Sequence, residues 1–137
     1  MITRNQEVVG VAEYNYSVQN LKTGWSEQNP KDWVEACENV IRALANQFPS
    51  QISELKGIGI SGQMHGAVLL DKNGTVIRPC MLWNDTRSYT QAQKMDEGEL
   101  FRKISGNIVF SGFTAPKVSW VQENEPENFK KIASILL

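Results

Sequence analysis

The sequence predicts an α/β domain: a mixed sheet with flanking helices. Three observations point there. Apolar runs of strand length are interleaved with stretches of helical period. An Asn73-Gly74 pair stands between two of those apolar runs, and capping residues bracket one long amphipathic stretch. A chain of 137 residues, 41% apolar and 21% charged, suits one soluble domain with one core.

Residues 7–16 include an alternating pattern, Val9 with Val11 and then Tyr14 with Tyr16, as in a half-buried strand. A polar stretch follows as far as Gly24. Asn29-Pro30-Lys31-Asp32 then opens a helix. Asn29 can cap it, Pro30 suits the first position because its missing N–H would be unpaired there, and Asp32 faces the positive end of the dipole. Trp33, Cys37, Val40, Ile41, Leu44 and Phe48 fall on one face, and Pro49 stops the run.

Residues 55–61 read as a short strand carrying Ile58 and Ile60, and residues 67–70 as another. Asp71-Lys72-Asn73-Gly74 leads to Thr75-Val76-Ile77, a hairpin in which both Asn and Gly tolerate positive φ. Met81-Leu82-Trp83 is a further strand, ending on Asn84-Asp85-Thr86-Arg87. Helices are expected over residues 88–95, 99–105, 116–124 and 126–134.

Several functional classes are excluded early. Lys and Arg number 14 against 15 Asp and Glu, with no basic run to track a polyanion. No apolar stretch reaches the length of a membrane helix, and no apolar signal region follows Met1, so nothing directs the chain out of the cytoplasm. Cys37 and Cys80 have neither zinc nor redox spacing and read as two buried free thiols.

Gly57-Ile58-Gly59-Ile60-Ser61-Gly62 fits the G-x-G-x-x-G pattern. A dinucleotide site needs a strand before the glycines and a helix starting within them; here they lie inside a strand and lead to a second one. A Gly-Lys-Ser/Thr phosphate loop is also lacking.

His65 is the only histidine, so no catalytic triad or multi-histidine metal site is complete. It stands with Gln63 and Met64 between Gly62 and Gly66, after a strand end. Gln63 and His65 offer directional hydrogen bonds and Met64 an apolar contact, a set that suits a small polyol. Trp83 and Asp85 form a second such group, since an aromatic face packs on sugar C–H groups while Asp bonds hydroxyls. A buried Trp with Asp85 capping a helix and Arg87 in a surface pair accounts equally well for that segment.

Three segments together resemble the FGGY family of carbohydrate kinases. They are Gly59-Ile60-Ser61-Gly62-Gln63-Met64-His65-Gly66, then Arg78-Pro79-Cys80-Met81-Leu82-Trp83-Asn84-Asp85-Thr86-Arg87, and Ser105-Gly106-Asn107 with Phe113-Thr114-Ala115-Pro116-Lys117. The Gln-Met-His-Gly run is the most specific piece and lies nearest the branch acting on D-xylulose. The resemblance implies a ribonuclease-H-like, actin-like ATPase domain that binds sugar. It also implies phosphorylation of D-xylulose with ATP and Mg²⁺ in the cytoplasm.

Met64 and His65 match the substrate-contacting pair, Trp83 and Asp85 match positions near the site, and residues 111–114 approach the sugar. The family's first two strands and its Asp-x-Gly-Thr-Ser phosphate turn have no counterpart; Asp96-Glu97-Gly98-Glu99 is the nearest formal match and follows no strand. The catalytic base and adenosine site have none either. The expectation is a partial N-terminal domain, residues 1–137, inactive alone and prone to self-association through an exposed sheet edge. The alternatives are a non-catalytic sugar-binding module and a kinase for another sugar.

Overall fold

A computed structural model describes residues 1–137 and bears out the α/β class. The residues divide into two compact units: Met1–Ser17 with Lys31–Ser61, and Val18–Pro30 with Gly62–Leu137.

In the first unit the principal element is helix α1 (Pro30–Gln47), starting at the proline and ending before Pro49 as its sequence directs. Pro49 also does something unforeseen: it occupies the first turn of a short helix, α2 (Pro49–Ser53), where its missing N–H costs nothing. Only part of the expected apolar face of α1 is covered. Trp33, Val40, Leu44 and Phe48 are half-buried, whereas Ile41 is 50% exposed. Cys37 is exposed too, which corrects the reading of two buried thiols; Cys80 alone is buried.

The strands expected at residues 7–16 and 55–61 do not form. One antiparallel bridge, Ile2–Val8, is all the ladder the unit possesses. A strand exists by pairing; beyond residues 8–10 against Met1 and Ile2, residues 7–16 pair no further, and residues 55–61 have no ladder. Their alternation survives as exposed apolar side chains: Val11 at 68% and Ile60 at 92%.

The second unit contains every named strand: β1 (Glu27–Gln28), β2 (Val68–Leu70), β3 (Cys80–Met81) and β4 (Ser134–Leu136). β1 pairs with β3, Glu27 opposite Met81, and β2 pairs with β4, Val68 opposite Leu136. An isolated Ala67–Met81 bridge stitches the two pairs together. All of this pairing is antiparallel, so the sheet portion is two small antiparallel pairs where a mixed sheet was expected.

The hairpin after β2 is present, with a Leu70–Val76 bridge, but only Gly74 takes a positive φ (75°). The Asp71 carboxylate accepts from the N–H groups of Asn73 and Thr75 and closes the turn instead.

Helices α3 (Tyr89–Glu97), α4 (Leu100–Ser105) and α5 (Thr114–Asn124) lie close to expectation. The expected helix at 126–134 stops early, as α6 (Pro126–Phe129), because residues 134–136 are drawn into β4: the Ala133 N–H already bonds the Leu70 carbonyl. Leu69, Met81 and Val121 form the core, with Ile77, Val118, Trp120, Phe129 and Ile132 packed on them.

Candidate sugar site

Three loops of the second unit converge: residues 62–66, 83–88 and 111–114. The 62–66 loop precedes β2; it does not follow a strand end as the sequence suggested. His65 has φ 59°. Such a conformation is uncommon for a side-chain-bearing residue, though His is among the types that adopt it most. Its ring lies 4.7 Å from that of Phe113 and lines a cleft of about 490 Å³ with Phe101, Ser105, Asn107, Ile108 and Val109. Gln63 is turned back to the frame: its amide N–H donates to the Gln28 side-chain oxygen at 2.8 Å. Met64 is 68% exposed and Trp83 58% exposed, so the buried-tryptophan alternative fails.

Asp85 behaves differently from the sequence expectation of a residue free to meet a sugar. It is fully buried, and both oxygens are engaged. Oδ2 accepts from the Ser26 N–H at 2.7 Å, and Oδ1 from the Arg87 N–H at 3.0 Å. The Arg87 guanidinium adds bonds to both oxygens, the shortest 2.6 Å. Asp85 therefore organises the loop from beneath. It does not cap α3, whose N-cap is Ser88.

Nor is the Arg87 pair a surface one: its side chain is 2% exposed, also meets Glu27 at 2.8 Å, and lies 3.6 Å over the Trp25 ring. Glu27 pairs in turn with Arg78, which reaches Glu125 at 3.4 Å. The two buried carboxylates, Asp85 and Glu27, and the two guanidiniums beside Trp25 and Trp120 balance one another, as buried charges must, with the half-buried Glu125 at the margin.

The loops are also joined by side-chain hydroxyls that donate to backbone carbonyls. The Ser88 hydroxyl donates to the Ser111 carbonyl at 2.9 Å, and the Thr114 hydroxyl to that of Gly66 at 3.3 Å. A Cβ at Gly112 would collide with the Trp83 carbonyl oxygen, so that close approach requires glycine. Lys117, fully buried on α5, donates to the carbonyls of His65 and Gly112 at 2.6 Å each. Burial pushes its ammonium down to about 8, and burial raises the nearby Cys80 thiol.

Lys117 is the residue whose role sequence reasoning missed. A signal was present: it stands four positions before Val121, on the helix face that Val121 turns to the core. The Phe101–Val109 side of the cleft carried no signal beyond the Ser105-Gly106-Asn107 match.

The whole chain, residues 1–137, matches the model of the N-terminal domain of the FGGY family of carbohydrate kinases. The chain belongs to that family. It is 42% identical over 139 residues to the xylulose kinase of Bacillus subtilis (strain 168), and 40% identical over 138 residues to that of Escherichia coli (strain K12). In both cases all of this chain and 28% of the relative are covered. The crystal structure of a xyloylose kinase from Brucella ovis superposes with a TM-score of 0.97 at 51% identity, covering 99% of this chain and 28% of that one. The chain thus spans under a third of the length of these relatives, and its fold is the actin-like ATPase class expected from its motifs.

Proposed function

We propose that this chain is the sugar-binding part of a cytoplasmic kinase that transfers a phosphoryl group from ATP to D-xylulose, yielding D-xylulose 5-phosphate. One observation carries the reading: His65, one of the two residues matching the family's substrate pair, lines a cleft of suitable size in a strained conformation against Phe113. Strain of that kind persists where surrounding contacts impose it, and it clusters at ligand sites. In this reading the His65 ring bonds a sugar hydroxyl, Met64 and Trp83 supply apolar contact, and Gln63 steadies the loop. Asp85 acts through Arg87 and Ser26.

The residues present do not fit Mg²⁺ or the nucleotide. Among residues 1–137 no group of three or more His, Cys, Asp or Glu is arranged to hold a metal ion. The 57–62 glycines open no helix whose N–H groups could cradle phosphate. No step through either group is assigned to this chain, and no helix of it is long and apolar enough to cross a membrane.

The test is a titration of the chain with D-xylulose, D-ribulose and glycerol, followed through the His65 ring resonances. D-Xylulose should shift them at the lowest concentration. Equal response to all three, or none, overturns the assignment. With ATP and Mg²⁺ added, the chain alone should release no ADP above background; D-xylulose-dependent release would refute the division of labour. Self-association through the open edge of β4 and the Ile135–Leu137 side chains, 44–80% exposed, belongs to the same reading. A monomer in sedimentation at tens of micromolar, roughly where exposed apolar surface drives association, would count against it.

A further inference from the structure

We propose that Lys117 is a positioning residue: its buried ammonium ties the backbone of the 62–66 loop to that of the 111–114 loop and thereby sets where His65 presents its ring. The sugar-binding part of this inference rests on the reading of His65 given above; the backbone part does not.

Lys117 makes no ion pair. Its two hydrogen-bond acceptors are main-chain carbonyls, of His65 and Gly112, in segments 52 and 5 residues away. Neither carbonyl belongs to a strand ladder, so each needs a donor from elsewhere. The groups facing the ammonium are Cys80 and Asp85, which favour its charge, and Arg87, which opposes it. A core needing only volume at this point would be filled better by Leu or Met, because burying an ammonium is costly unless its donors are used.

What the lysine does that no apolar residue could is hold two loop carbonyls at one point. One of those carbonyls belongs to the residue with φ 59°. The other belongs to the glycine pressed against Trp83 and next to Phe113, the ring beside His65. The Thr114–Gly66 bond joins the same two loops independently, which lets the lysine be removed without freeing them entirely.

The test compares Lys117→Met with wild type in the 137-residue chain by NMR. Met keeps the stem and deletes the donors. The Phe113 ring-current shift on the His65 ring protons should collapse. Order parameters of residues 62–66 should fall from about 0.85 to below about 0.6. The methyl signals of Leu69 and Val121 should keep their dispersion. An unchanged His65 shift, or loss of order in core and loop alike, overturns the proposal.

D-Xylulose affinity then closes a double-mutant cycle. Lys117→Met should weaken it about tenfold and His65→Ala about ten- to a hundredfold. The double variant should be no weaker than His65→Ala. Additive losses would mean that Lys117 acts on the sugar by another route. If the loop loosens while His65→Ala binds D-xylulose normally, the sugar reading fails and the backbone role of Lys117 stands. Should Lys117→Met not fold, Lys117→Gln, able to reach one carbonyl, is read by the same criteria, with an intermediate shift expected.

Discussion

The two compact units of this chain use similar hydrophobic patterning and arrive at different ends. In Met1–Ser17 with Lys31–Ser61, alternating residues such as Val11, Ile58 and Ile60 remain exposed, and regular structure is confined to α1 and α2. In Val18–Pro30 with Gly62–Leu137, an apolar run no longer than those, Ala67-Val68-Leu69, is buried to 2%, 8% and 0%. The difference is pairing. β2 has β4 on one side and, through the Ala67–Met81 bridge, β3 on the other, while residues 7–16 have only the Ile2–Val8 bridge and residues 55–61 have none. Hydrophobic alternation states which face wants burial; a partner strand decides whether it gets it.

The largest consequence should appear at the buried charges of the second unit. Asp85→Ala leaves Arg87 and the Ser26 N–H without their main partner, so urea unfolding should show a loss of about 3–5 kcal/mol. A loss under about 1 kcal/mol would mean Glu27 alone can hold Arg87. Next comes packing. Leu69→Ala should cost about 2–5 kcal/mol through the cavity it leaves. Ile60→Ala, at a residue 92% exposed, should fall within about 0.5 kcal/mol of wild type. If the two cost the same, residues 55–61 are buried in solution and the contrast between the units disappears.

A smaller effect follows from Lys117. Its ammonium titrates at about 8 when folded, against the ordinary 10.5. Between those values the unfolded chain binds more protons, so stability should rise with pH. The Cys80 thiol, lifted above 9.0, opposes this once pH passes 9. Denaturation midpoints measured from pH 8 to 9 should therefore show a gain of about 1 kcal/mol. Lys117→Met should be flat over that interval; an equal slope there would assign the gain to another group.

The smallest effect concerns the exposed Asp96–Arg102 pair between α3 and α4. Bonds from Arg102, and then from the Val109 N–H, hold the Asp96 carboxyl down at about 2. Its contribution is complete above the usual carboxylate range and fades as pH falls toward 2. NMR should show the α4 amides shifting in that window ahead of those in β2. Salt should weaken the effect, because the pair is exposed.

Local chemistry was legible where it needed no partner. Pro30 and Pro49 bound α1 because a missing N–H acts within one turn. Gly106 ends α4 at φ 71°, and Asp71 and Gly74 make their own turn. The three converging loops were legible too, since the matching segments Gln63-Met64-His65-Gly66, Trp83-Asn84-Asp85-Thr86-Arg87 and Phe113-Thr114-Ala115-Pro116-Lys117 fall on them.

Tertiary structure alone decided the rest. Whether residues 134–136 end a helix or form β4 depends on the free edge of β2, 64 or more residues away. Whether Asp85 faces a ligand or Arg87 depends on where the Ser26 N–H arrives. That Lys117 is a clamp and not a surface lysine follows from two carbonyls, at 65 and 112, meeting its ammonium. Turns and caps are satisfied by neighbours in sequence; ladders, buried charges and orphan carbonyls are satisfied by whatever folding brings near, and no local pattern states what that will be.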